Sequence, residues 1–265
     1  MFFTKETEPK FTNCPRCEST NTFLSVFSDK SYCAKCRKLY DKIDGSLIRK
    51  QLKTLLKEKY VELQEFELIF SEYQDLFYGL IKESRQTHRE VNFETVLRYL
   101  FFKFHIEIQD KTNWEKILTV YYNVIHGVRL VYPDVMTTLE TLSESGVRMG
   151  IISNTTNPEF IKEKELLQAG LSRFFEFTIF SSVTPYRKPH PSIFNAAISR
   201  LNVKPENILF VGDDLKMDVI GAQSVGMPAA WLNRNGSPLV DNITPLYQIT
   251  SLLDLLAIEP LEIVN

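Results

Sequence analysis

No apolar run in this 265-residue chain approaches the roughly twenty residues needed to cross a bilayer, so no membrane-spanning helix is expected. The first ten residues are polar and charged after Phe2-Phe3, so no signal peptide is expected. There is no internal repeat and no low-complexity tract. The 10 glycines and 12 prolines are scattered rather than gathered into a linker. Net charge is nearly absent: 31 Lys and Arg against 33 Asp and Glu give −2, so any charged partner surface must be local. These absences predict a soluble cytoplasmic protein. With 44% hydrophobic residues, the chain can build a real core in one large domain or two smaller ones.

Cysteine is scarce and confined. All four lie in the first forty residues, as Cys14-Pro15-Arg16-Cys17 and Cys33-Ala34-Lys35-Cys36, with 15 residues between the pairs. Two tight Cys-x-x-Cys turns at this spacing suit a closed tetrahedral zinc site, which is structural because it leaves no position for substrate. Two disulfides or a rubredoxin-like iron site would use the same residues, though nothing in the sequence suggests secretion. Between the pairs, residues 22–26 and 31–32 are expected to form a hairpin with Ser28-Asp29-Lys30 as its turn, and residues 37–43 a third strand. The segment resembles a zinc ribbon.

The densest chemical signal lies at residues 208–222. Ile208, Leu209, Phe210 and Val211 form the continuous apolar run of a strand covered on both faces, and Gly212 frees the backbone where it ends. Asp213 and Asp214 then stand at the carboxyl end of that strand, where open α/β sheets bind ligands. Paired carboxylate oxygens suit a hard cation such as Mg²⁺; the alternative is an acidic helix cap, which Asp214 alone would satisfy. Asp218 lies one helical turn beyond Asp214, to support that site or to face solvent. Upstream, Met149 to Ile152 lead into Ser153-Asn154. Lys188 sits between prolines in Tyr186-Arg187-Lys188-Pro189-His190-Pro191, ahead of a helix from Ser192 to Leu201.

In this order the three stretches resemble the haloacid dehalogenase superfamily, with its strand-end Ser/Thr, its lysine and its acidic pair. Tyr132-Pro133-Asp134-Val135 with Leu139-Glu140-Thr141-Leu142 extends the likeness, which spans roughly residues 46–257. The resemblance implies a Rossmann-like α/β core under a helical cap of the C1 type. Ser153 would hydrogen-bond a phosphoryl oxygen with Asn154 beside it, Lys188 would neutralise the phosphate, and Asp213 and Asp214 would hold Mg²⁺. The family's first motif, an apolar strand followed by Asp-x-Asp-Gly-Thr-Leu, is absent. Its nearest counterpart is Leu39-Tyr40-Asp41-Lys42-Ile43-Asp44-Gly45-Ser46-Leu47. There Asp44 takes the acid/base position and Lys42 the place of the nucleophile. Asp41 could serve as nucleophile only with one residue looped out.

Domains are therefore expected at 1–45 (zinc ribbon), 46–130 (helical cap) and 131–265 (α/β core). Apolar residues at three- and four-residue spacing predict helices over 47–56, 61–84, 93–104 and 114–126. Parallel strands are predicted near 148–153, 176–180, 207–212 and 228–232, with helices at 135–145 and 159–169. In the resembled fold the first-motif strand lies between the strands carrying the second and fourth motifs. Here either the ribbon's last strand enters that place or those two strands pair directly. Two functions follow. One is a Mg²⁺-dependent phosphatase acting on a small phosphate monoester through Asp41 or Asp44. The other is an inactive scaffold whose ribbon binds nucleic acid or protein. Lys30 to Tyr60 carries ten basic residues against three acidic ones, which is either a phosphate-gripping face or a solvated one.

Overall fold

The computed structural model describes residues 22–24, 30–33, 38–41, 63–106, 114–119, 131–239 and 242–258. Its contacts divide the chain into two units. The first comprises Met1–Lys82, Val91–Val131 and Phe160–Ala169; the second comprises Glu83–Glu90, Tyr132–Glu159 and Gly170–Asn265. The division departs from simple chain order by assigning Glu83–Glu90 to the second unit and Phe160–Ala169 to the first.

In the first unit, β1 (Thr22–Leu24), β2 (Lys30–Cys33) and β3 (Lys38–Asp41) form an antiparallel meander. Thr22 stands opposite Cys33, and Lys30 opposite Asp41. The pairing follows the predicted hairpin and third strand. Cys33 closes β2, while Cys14, Cys17, Cys36 and Asp44 lie outside the described residues, as does the helix expected at 47–56. The helices Leu63–Thr87 and Phe93–Lys103 match two of the predicted spans, and of the third, 114–126, residues 114–119 are described and helical. Asn92 caps the second helix by accepting from the Thr95 amide at 3.0 Å. Val96, Leu97, Leu100 and Phe101 share one face of it and pack with Ile69, Tyr73, Trp114, Ile117 and Leu118 in a closed apolar cluster.

The second unit holds the parallel strands: β4 (Gly150–Ser153) beside β5 (Phe177–Phe180), and β6 (Phe210–Gly212), β7 (Ala229–Leu232) and β8 (Tyr247–Ile249) in that order. The helices Pro133–Glu144 and Pro191–Leu201 each begin with proline at a position where its missing N–H costs nothing. Ile193, Phe194 and Ala197 on the latter pack with Ile179, Val219, Ala222, Met227 and Trp231 to form the core.

Among the described residues β4 and β6 are not hydrogen-bonded neighbours, and β3 pairs with β2 alone. Direct pairing of β4 with β6, one of the two expected arrangements, is therefore not seen among the described residues. The consequence shows in burial. All four residues of β7 are buried, while the apolar Ile151, Ile152, Phe210 and Val211 of β4 and β6 are only half-buried.

Gly221 fixes how closely the segment after β6 approaches the loop bearing Lys188. A Cβ there would lie 2.6 Å from the Phe194 ring and 3.2 Å from the Pro189 Cα, although the residue's φ of −58° is ordinary for any amino acid. Gly221→Ala should therefore lower unfolding free energy in urea by about 1–3 kcal/mol, the usual cost of overpacking. Phe194→Leu in the same chain should recover part of that loss.

Candidate active site

Two strand ends and one loop of the second unit assemble the polar groups. Ser153 ends β4, and its hydroxyl makes no hydrogen bond to another described residue. Asn154 follows it and turns aside. Its amide Oδ1 accepts from the Lys188 N–H at 2.8 Å and its Nδ2 donates to the Lys188 carbonyl at 2.9 Å. Both hydrogen-bonding edges of Asn154 are thus spent on the backbone of the lysine loop. Its duty is to place Lys188.

The lysine side chain is almost enclosed. Its Nζ donates to Asp218 Oδ1 at 2.6 Å and to the Ile152 carbonyl at 3.3 Å, and it lies 5.4 Å from the centre of the Phe210 ring. The two partners are 11% and 5% exposed, which makes this a desolvated ion pair. Such a pair gains little over apolar packing, yet removing one member costs about 3–5 kcal/mol because the other is left charged and buried.

Asp218 reaches this position because Gly212 carries no side chain: a Cβ on Gly212 would overlap the Asp218 carboxylate. The helix after β6 also starts with a widened π-type turn, Leu215–Ile220, in which both Asp218 and Val219 donate to the Asp214 carbonyl. Asp218 Oδ2 then accepts the Asp214 N–H at 3.1 Å. Its sequence signal was its place one helical turn beyond Asp214. That spacing left its direction open.

The two adjacent carboxylates have different roles. Asp214 caps the turn, its Oδ1 accepting from the Lys216 and Met217 amides at 2.8 Å each. Asp213 keeps an exposed surface, and its carbonyl takes the Trp231 indole N–H at 2.9 Å, a contact the sequence did not announce. The protein around its carboxyl still raises its pKa from 3.8 to about 6. Desolvation is the largest cause, Asp218 and Asp214 add negative charge, and Lys188 opposes the rise.

As a cation site, the described residues do not gather three or more ligating side chains. Mg²⁺ commonly binds through one or two carboxylates and completes its shell with water and substrate phosphate, so Asp213 with Asp214 beside it fits that donor chemistry. Asp41 ends β3 opposite Lys30 in the first unit.

A family model described as haloacid dehalogenase-like hydrolase matches residues 43–226. The chain is 36% identical over 145 residues to a glyceraldehyde 3-phosphate phosphatase of Pyrococcus furiosus, covering 53% of this chain and 57% of that one. It is 34% identical over 134 residues to phosphoglycolate phosphatase 1 of Pseudomonas aeruginosa, covering 49% and 48%. The chain therefore spans only about half the length of these curated relatives. Its fold is also similar to that of a 2-haloacid dehalogenase from Pseudomonas syringae, with a TM-score of 0.57 at 23% identity, over 80% of this chain and 89% of that one.

The raised Asp213 carboxyl gives a pH signature. Metal-free protein should show an aspartate titrating near pH 6 by carboxyl-selective NMR. Asp218→Asn should move it down by removing a negative neighbour and freeing Lys188. Because the folded state holds this proton more tightly than the unfolded chain, the group's contribution to stability should fall as pH rises between 3.8 and about 6.

Proposed function

Because the chain belongs to the haloacid dehalogenase-like hydrolase family, we propose that it is a Mg²⁺-dependent phosphatase acting on a small phosphate monoester. The observation that carries this reading is the juxtaposition of Lys188, Asp218 and Asp213 at the ends of β4 and β6. An enclosed cation beside an open, reluctantly ionised carboxylate suits a dianionic group that arrives together with a metal. Relatives named for glyceraldehyde 3-phosphate and phosphoglycolate, both small monophosphates, support the size of the substrate.

In this reading the Lys188 ammonium neutralises phosphoryl oxygens, and the unspent Ser153 hydroxyl donates to one of them. Asp213 and Asp214 would hold Mg²⁺, which when bound supplies charge compensation between carboxylates and phosphate. Asp41 or Asp44 would attack phosphorus. The ester P–O bond breaks as the P–O bond to the aspartate forms, and the departing oxygen takes a proton from Asp44 if Asp41 attacks, or from water if Asp44 does. Water then cleaves the aspartyl phosphate and releases inorganic phosphate.

Turnover of an aryl phosphate with Mg²⁺ tests this. The parent should exceed Asp213→Asn and Lys188→Ala by about 100-fold or more, with Asp41→Asn and Asp44→Asn identifying the nucleophile. Equal background rates in all of them would sink the reading. They would instead favour a scaffold in which Lys42, standing at the nucleophile's place, marks lost chemistry and the basic stretch from Lys30 to Tyr60 binds nucleic acid or protein.

The four cysteines support a separate structural site in the same proposal. The hairpin β1–β2 follows the first Cys-x-x-Cys pair and ends on Cys33 of the second, and β3 follows Cys36, an order that suits a zinc ribbon. Elemental analysis should find about one zinc per chain, lost in Cys17→Ser. A zinc-free protein whose four thiols are oxidised in pairs would replace this assignment with disulfides.

A further inference from the structure

The lysine loop is held from two sides, and the second side is unexpected. Asn154 occupies both backbone groups of Lys188. Opposite, the chain leaving the helix Leu63–Thr87 bridges the residues just before the lysine. The Arg187 amide donates to the His88 carbonyl at 2.9 Å and the Glu90 amide to the Pro185 carbonyl at 3.0 Å, with Arg89 and Tyr186 as an antiparallel bridge between them. His88 takes a left-handed φ of 57° to make the turn into this bridge, and Ser84 Oγ donates to the Arg89 carbonyl at 2.5 Å. Within the loop, Thr184 Oγ1 donates to the Tyr186 carbonyl at 2.7 Å.

The bridge carries a charge pair. The Glu90 carboxylate, its side chain 2% exposed, stands 3.7 Å from the guanidinium of Arg187, the residue immediately before Lys188. With the carboxylate desolvated and the guanidinium partly exposed, the attraction at that separation exceeds that between two fully exposed groups. A lysine needs such support more than most residues, because its ammonium is a point charge at the end of a flexible four-carbon stem. Holding Nζ at 2.6 Å from Asp218 and 3.3 Å from the Ile152 carbonyl requires a fixed Cα.

We infer that Glu90 is a positioning residue for phosphate recognition: through Arg187 it sets the height of the loop from which Lys188 reaches the phosphoryl group. The inference rests on the phosphatase reading above. The residues responsible, Glu83–Glu90, belong to the second unit although the chain on both sides of them belongs to the first. The lysine's placement thus depends on a segment nearly one hundred residues away in sequence.

The test is binding of inorganic phosphate to the full chain with Mg²⁺ by isothermal titration calorimetry, alongside aryl phosphate turnover and thermal unfolding. Glu90→Gln should weaken phosphate binding and lower turnover by about tenfold each, since displacement of about an ångström at a reacting centre is costly. The unfolding midpoint should move by only about 3 °C or less. Arg187→Gln, at a side chain 25% exposed, should match it and carries the test if Glu90→Gln does not fold. The double variant should be no worse than either single one, because the two side chains act as a unit. Glu90→Asp should retain most of the affinity. Unchanged phosphate affinity with a lowered midpoint would overturn the inference and leave the pair structural, and additive losses would overturn it too. A parent that neither binds nor turns over overturns the phosphatase reading as well, whereas an active parent indifferent to both variants overturns only this one.

Discussion

The second unit is organised around one ion pair that glycine makes possible. Lys188 and Asp218 approach to 2.6 Å because Gly212 leaves room for a carboxylate against the strand end. Everything else at the site is arranged to keep these two groups in place. Asn154 takes the lysine's backbone, the widened turn after β6 aims Asp218 inward, and the Trp231 indole secures the carbonyl of Asp213. An unpaired charge in such surroundings would be far costlier than the pair is favourable. The geometry therefore resists partial loss, and it leaves Asp213 as the acid with freedom to change partners.

The adjacent acids show how environment divides identical side chains. Asp214 spends one oxygen on two backbone amides at a helix start, a capping role that needs no metal. Asp213, one residue earlier, faces neighbouring negative charge and desolvation, and holds its proton to about pH 6. The sequence offered a metal-holding pair or an acidic cap at Asp214, and the cap is present, served by Asp214 Oδ1. The second acid in electrostatic reach of the lysine is Asp218, from the next helical turn.

Much of this was readable from residues alone, for identifiable reasons. Continuous apolar runs announced β4 through β7, and proline-marked starts announced the helices Pro133–Glu144 and Pro191–Leu201. Strand β8 gave no such signal, since Tyr247-Gln248-Ile249 is short and half polar at a sheet edge. Asp218 was ambiguous because helical spacing does not say which face is buried; the absent side chain of Gly212 decides that. The bridge of Arg89 to Tyr186 had no local signature at all. It depends on a left-handed turn at His88, a conformation uncommon outside glycine, and on pairing across nearly a hundred residues.

The separation of β4 from β6 gives the lysine a second significance. Among the described residues the parallel strands form two groups, β4 with β5 and β6 with β7 and β8, with no ladder between the groups. Lys188 touches both, accepted by the Ile152 carbonyl on one and by the acid nested against Gly212 on the other. One ammonium thus fastens the end of β4 to the turn that follows β6. Two elements that share no ladder among the described residues are joined there by a single side chain.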